Sequence, residues 1–269
     1  MRTGGQSGFS LVEMIMVIVI VGILGSMAAV FVKLPVQQYF DIGRRADLTD
    51  IADLALKRIE SDIRSALPHS ARTTSATCPG GAGTCSFLEF LPSSGSGRYR
   101  AASSVTNPDI LDFTAADGSF EVLGAMPAFA AGDQVIVTDN TVAAAYGATY
   151  RTPWVSTAAS IVTITSIQFP SASPSAHFHI VNQAVSHVCD PSGGTLMRYS
   201  YAIQAAQPTT AAALGTGRLL ANNVGSCGFD VTQSNSLVAI SLVVSKKDET
   251  RNLSDTAMLY KVVHVGNVP

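Results

Sequence analysis

Gly8-Phe9-Ser10-Leu11-Val12-Glu13 marks a sharp boundary near the start of this chain. Ahead of it lies a short polar leader, Met1 to Gly8, with one basic side chain, Arg2. Behind it the chain is almost wholly apolar as far as Val32, and the only charged side chain in that run is Glu13. A helix rises about 1.5 Å per residue, so the run is long enough to cross a bilayer core of about 30 Å. An ordinary secretory signal places its small-residue cleavage site after a short apolar core. Here the small residues Gly4, Gly5, Ser7 and Gly8 come before the core, which is also longer than such a signal needs. A carboxylate inside a membrane helix costs about 2.5–3.5 kcal/mol on insertion scales. Glu13 therefore reads as a functional residue that needs a cationic partner. Gly22 and Ser26, then Gly25 and Ala29, give small-xxx-small spacings that let helices approach closely.

These residues resemble the class III signal of type IV prepilins and pseudopilins. The match lies in Gly8 before the cut, Phe9 as the new N-terminus and Glu13 five residues into the mature chain. Leu11-Val12-Glu13-Met14-Ile15 and Gly22-Ile23-Leu24-Gly25 extend it. The resemblance implies cleavage between Gly8 and Phe9 by an inner-membrane prepilin peptidase, and methylation of the Phe9 amine. It implies a single-pass inner-membrane protein with a periplasmic C-terminal domain, whose helix later enters a pilus filament or its tip. The implied partners are major and other minor pilins, an assembly platform protein and a cytoplasmic ATPase. A buried Glu13 would meet the cationic N-terminus of a neighbour, and removing one member of a buried pair costs about 3–5 kcal/mol.

The chain has 269 residues, a formal net charge of −2 and only 13% charged residues, which speaks against a general nucleic-acid binder. Past the apolar run there is room for one sizeable domain or two small ones. Four cysteines in a domain outside the cytoplasm read as disulfides rather than metal ligands.

Lys33-Leu34-Pro35 interrupts the apolar run, and proline inside a helix removes a hydrogen bond and bends the axis. Helical periodicity then resumes: Leu48, Ile51, Ala55, Ile59 and Ile63 form one apolar stripe. Asp41–Arg45, Asp53–Lys57 and Glu60–Arg64 are acid-to-base pairs at i,i+4, which read as a solvated face. Pro68 disfavours helix at Leu67. The expectation is one long, kinked helix over 9–67. Its membrane half is 9–32 and its amphipathic half 33–67, and it packs on a β-rich domain over 68–269.

Thr73 to Cys85 reads as a loop. Its Gly-rich segment, Cys78 to Cys85, lacks the Gly-Lys-Ser/Thr ending of a phosphate-binding loop. Short strands are expected at Phe87–Leu91, Ile110–Phe113, Phe120–Leu123 and Gln134–Thr138, with a weaker one at Arg98–Ala101. Thr141 to Ser160, with Tyr146, Tyr150 and Trp154, reads as an irregular insertion. Further strands are expected at Ile161–Phe169, His177–Val185, Thr195–Ile203, Arg218–Leu220, Gly228–Val231, Leu237–Ser245 and Ala257–Val265. One long helix followed by many short strands gives an α+β, pilin-like architecture with mostly antiparallel sheet, in two lobes sharing one core.

In the last third, Val185 to Pro191, Gly194 to Ser200 and Val263 to Pro269 resemble the MshO-type minor pilins of mannose-sensitive haemagglutinin (MSHA) pili. So does Ile59 to Pro68, which in variant form resembles the J-type pseudopilins of type II secretion. The resemblance covers Thr73 to Ser160 poorly. By proximity, Cys189 is expected to pair with Cys227, and Cys78 with Cys85. His177 with His179, and His187 with Cys189, alternate along strands as a chelating pair would. Cys189 is wanted for a disulfide and no carboxylate falls at a telling spacing, so no metal and no cofactor are expected. There is no Gly-x-Ser-x-Gly elbow, and the chain reads as a non-enzyme. A ligand-binding adhesin at a pilus tip, needing an exposed aromatic patch within Thr141 to Ser160, and an anchored periplasmic hydrolase with a triad in a deep cleft, are the rival readings.

Overall fold

The computed structural model describes residues 8, 10–103, 109–232, 236–248 and 253–266. Phe9, most of the leader and the last three residues therefore lie outside the description. The chain forms two compact units, Met1–Asp47 and Leu48–Pro269. Helix α1 spans Leu11–Arg64 and continues through Pro35. Within the first unit, every side chain from Leu11 to Ala28 is exposed.

In the second unit the last turns of α1 bury Leu48, Ala55, Ile59 and Ile63 of the expected stripe, with Ala52 and Leu56 beside them, while Ile51 is only half-buried. The helix stops at Arg64, earlier than Leu67. Its final bonds tighten to i−3: Ser65 N–H donates to Asp62 and Ala66 N–H to Ile63. Leu67 N–H then leaves the helix and donates to the Leu91 carbonyl at 2.7 Å.

The strands and short helices follow in this order: β1 Arg72–Thr77, β2 Thr84–Phe90, β3 Ser93–Tyr99, β4 Asp117–Leu123, β5 Gln134–Ile136, α2 Val142–Tyr146, β6 Arg151–Ala158, β7 Ile161–Ile167, β8 His177–Val181, β9 Ala184–Asp190, β10 Thr195–Tyr201, α3 Ala211–Leu214, β11 Arg218–Asn222, β12 Val224–Thr232, β13 Leu237–Asp248 and β14 Leu253–His264. The described strand pairs are all antiparallel. One sheet has the order β1-β2-β9-β10-β11, a second β12-β13-β14, and β3-β4-β7-β6-β5-β8 close into a barrel. The architecture is α+β: one long N-terminal helix, whose turns from Leu48 onward pack on antiparallel sheets.

The helix stripe and the two open sheets share one core. Leu88, Phe90, Val185 and Leu196 face it from one sheet, and Val238, Ile240, Leu242 and Val263 from the other. Each such fully buried side chain contributes about 1.5–3 kcal/mol. The barrel is an insertion. Strands β2 and β9 are direct neighbours, with Phe90 opposite Val185, so everything between them leaves the sheet and returns to the same place. The barrel has its own aromatic core, with Tyr99, Phe120, Phe169 and Phe178 buried. Two lobes with one common core are thus an incomplete description.

Several expected elements are corrected by the same facts. Residues 72–77 are a strand, and only the disulfide-closed turn after them is loop. Ile110–Phe113 is not a strand: Leu111 N–H donates to Arg100, and Asp112 N–H is taken by the Asp117 carboxylate. The region Thr141 to Ser160 is ordered as α2, one 3-10 turn and strand β6. Strand β3 (Ser93–Tyr99) shows no apolar alternation because glycine serves it: a Cβ on Gly97 would come within 2.7 Å of the Phe178 ring across the ladder.

Candidate functional site

Two places in the chain carry chemistry that a sequence of loops and strands does not explain. The first is the start of α1. Gly8 and Ser10 precede the helix, and Glu13 lies in its first turn, exposed. Met14 N–H donates to the Ser10 carbonyl at 3.2 Å, so the helical bonding begins at once. Leu11, Met14, Ile18, Ile20 and Leu24 are more than half exposed, and an added Cβ at Gly22 or Gly25 would meet nothing within 4 Å. The small residues therefore meet no need inside the first unit. α1 contains the stretch that is long and apolar enough to cross a membrane.

The second place is where the end of α1 docks on the sheets. Asp62 is buried, and Arg198 on β10 donates Nε–H to its Oδ2 at 2.6 Å. His187 on β9 is fully buried and stacked on Phe90, with ring centroids 5.6 Å apart. Its Nε2 is 3.3 Å from the same Asp62 oxygen, but neither ring nitrogen makes an aligned hydrogen bond. His187 and Arg198 face each other directly across the β9–β10 ladder. Burial alone would raise the Asp62 carboxyl, but His187 and Arg198 outweigh it and hold the group below the usual carboxylate range. Burial pushes His187 down against the pull of Asp62. Close by, Glu60 forms ion pairs with Arg64 and with Lys261 of β14. The charges near the end of α1 are thus not merely a solvated face; two of them pin the helix to both sheets. Sequence spacing hid this, because Asp62 also sits four residues from Arg58 and reads as one more surface pair.

A third polar cluster ties the barrel to the five-stranded sheet. Arg72 on β1 donates to both oxygens of the fully buried Glu89 on β2, and to the carbonyls of Gln204 and Ala205. Burial raises the Glu89 carboxyl even though Arg72 pulls the other way. The guanidinium lies 3.5 Å from the ring centre of Tyr146, whose hydroxyl donates to the Ser70 carbonyl. Arg151 donates to the carbonyls of Tyr146 and Ile203, closing the junction.

Of the three aromatic residues in the Thr141 to Ser160 region, one is buried and two are half-buried. Tyr146 is buried, Trp154 stacks on Phe129 at 5.3 Å, and the Tyr150 hydroxyl lies 3.5 Å from Asp139. Cys78 is bonded to Cys85, and Cys189 to Cys227. The second bridge joins β9 of one sheet to β12 of the other. The His187–Cys189 chelate is ruled out by these bonds, since the Cys189 sulfur is in a disulfide. Cys78, Cys85 and Asp190 cluster within 4.8 Å, but both sulfurs are bonded to each other. His177 and His179 sit outside the barrel, while Phe178 and Ile180 between and beyond them fill it. Burial, with His177 beside it, pushes His179 down to about 4.

Residues 4–29 match the family model described as the prokaryotic N-terminal methylation motif. No curated protein and no solved structure matches the chain. The match falls on the leader, Gly8, Glu13 and the exposed apolar helix, and it carries no information on the sheets or the barrel. The chain therefore bears, at residues 4–29, the N-terminal methylation signal of type IV pilin-like proteins.

Proposed function

We propose that this chain is a minor pilin of a type IV, MSHA-like pilus, most like the biogenesis protein MshO, acting in filament initiation or at the tip. The observation that carries the reading is the methylation motif at residues 4–29, which takes in the exposed apolar start of α1, in a chain where the last turns of α1 pack on antiparallel sheets. Its role is assembly rather than turnover. Prepilin peptidase cuts between Gly8 and Phe9, the Phe9 amine is methylated, and the helix passes from the inner membrane into a bundle. There Glu13 takes the cationic N-terminus of a neighbouring pilin as its partner, because an unpaired carboxylate in an apolar bundle is costly. Major and other minor pilins, the platform protein and the ATPase are the partners this requires.

Three of the four segments that resemble MshO-type minor pilins each supply one member of the buried cluster: Asp62, His187 and Arg198. That convergence supports the finer reading. The Ile59 to Pro68 segment, similar also to J-type pseudopilins, favours a type II secretion role as the second reading. A deletion strain separates them. Loss of surface filaments, restored by the wild-type chain but not by an uncleavable Gly8→Leu variant, supports the pilus. Normal filaments with lost secretion of periplasmic proteins support the pseudopilin.

A further inference from the structure

We infer that strand β14 is a self-pairing edge, through which two copies of this chain join their three-stranded sheets about a two-fold axis centred on Met258. Strand β14 is the outer strand of its sheet and pairs with β13 along its whole length, from Leu253 opposite Asp248 to His264 opposite Leu237, with no bulge. Soluble proteins blunt such edges with charge, proline, bulges or a covering element. Among the described residues, β14 carries none of these on its outer face. Ser254, Thr256, Met258, Tyr260, Val262 and His264 are all exposed, and Met258 and Tyr260 are about two-thirds exposed. A solvated face of an antiparallel sheet normally reads polar. Strand β1, the edge of the other sheet, obeys that rule with Thr73, Ser75 and Thr77 exposed.

The occupant follows from charge. In an antiparallel pair of identical strands centred on Met258, Leu253 to Val263 lies along the same stretch of the second copy. Met258 then faces Met258, and Thr256 faces Tyr260. On the other face, Asp255 of each copy falls opposite Lys261 of its mate, twice by symmetry. Within one chain Asp255 already lies across from Lys246, so the mate's lysine completes an alternating row. No like charges oppose each other in this register. Centring on Tyr260 instead would shorten the overlap and set Lys261 against Leu259. The two-fold contact is isologous, so it closes at a dimer.

The unmodified full chain in its native membranes tests this with a zero-length carbodiimide. Asp255 and Lys261 are six residues apart on one strand, about 20 Å at 3.4 Å per residue, so an amide between them cannot form within one copy. We expect a covalent dimer whose digest holds the Asp255–Lys261 bridged peptide, and loss of that peptide in Asp255→Asn. A reaction confined to monomer, or Lys261 joined only to Glu60, overturns the proposal. Lys261 bridged to a different protein overturns the choice of a second copy. Oxidation of Met258→Cys should independently give a disulfide dimer that Ser75→Cys on β1 does not give; equal yields from the two would contradict a specific edge.

Discussion

Arg198 on β10 and Asp62 near the end of α1 are joined by a 2.6 Å hydrogen bond across a sequence separation of 136 residues. The bond is one side of a buried cluster completed by His187, and it ties the last turns of the helix to the five-stranded sheet. Asp62→Asn leaves Arg198 without its counter-charge in a buried place. Breaking a buried pair costs about 3–5 kcal/mol, and we expect the lower end here because Arg198 keeps its bond to Ser200. Denaturant unfolding of the purified chain measures it, and a change under 1 kcal/mol would show that the pair is screened. Arg198→Met added to Asp62→Asn should recover part of the loss.

Acid should destabilise the fold through its buried histidines. Burial holds His179 at about 4 and also depresses His187, so both are neutral in the folded chain at neutral pH. An unfolded histidine titrates near 6.5, so between about 6.5 and 4 the unfolded chain binds protons that the folded one refuses. Stability therefore rises with pH across that window. His179 accounts for up to about 3 kcal/mol of it at 1.36 kcal/mol per unit. Asp62, held low, loses its contribution only at lower pH. Glu89, pushed up by burial, works in the opposite sense and gains as it protonates. The comparison of wild type with His179→Gln isolates the histidine: the variant's stability should vary less between pH 6.5 and 4, and identical profiles would remove His179 from the account.

The two disulfides should not be equal. Cys189–Cys227 closes a separation of 38 residues and clamps one sheet to the other, whereas Cys78–Cys85 closes 7. In the loop-entropy model these correspond to about 4 and about 2 kcal/mol. Cys189→Ser with Cys227→Ser should thus lose more protease resistance than Cys78→Ser with Cys85→Ser. Non-reducing peptide maps of exported protein should contain both bridges, and mixed pairings would contradict the docking of β9 against β12.

Much of this arrangement is legible in the sequence, and the physical reason differs from part to part. The helix stripe from Leu48 to Ile63 is a local, period-3.6 signal, and burial follows it closely. The later strands alternate clearly, as Ile161–Ile167 does. The barrel is another matter. Strand β3 reads Ser-Ser-Gly-Ser-Gly-Arg-Tyr, with no alternation, because its glycine makes room for Phe178 instead of packing a side chain of its own. The closure of β3 on β8 joins residues far apart in the chain, which no local pattern reports. Asp62 is opaque for the same reason. Its neighbours along the helix make it look like a surface residue, and only β9 and β10, more than a hundred residues later, bury it.

Glu13→Leu separates insertion from assembly. Removing the carboxylate eases entry of the helix into the membrane, where it costs about 2.5–3.5 kcal/mol. The cut site is untouched, so processing should persist. Incorporation should fall, because an N-terminal amine is then desolvated without a counter-charge. Cell-fraction immunoblots beside filament counts should show processed protein held in the inner membrane. Filaments carrying the mutant at wild-type levels would remove Glu13 as the assembly contact.

Everything said of the filament rests on where the mature chain begins. Intact-mass and N-terminal peptide spectrometry of membrane or filament fractions reads this without any variant. The account predicts a chain starting at Phe9 and heavier by one methyl group, with Met1 to Gly8 gone. A mature N-terminus near residue 30, past the apolar run, would mean an ordinary signal peptide and would contradict the account.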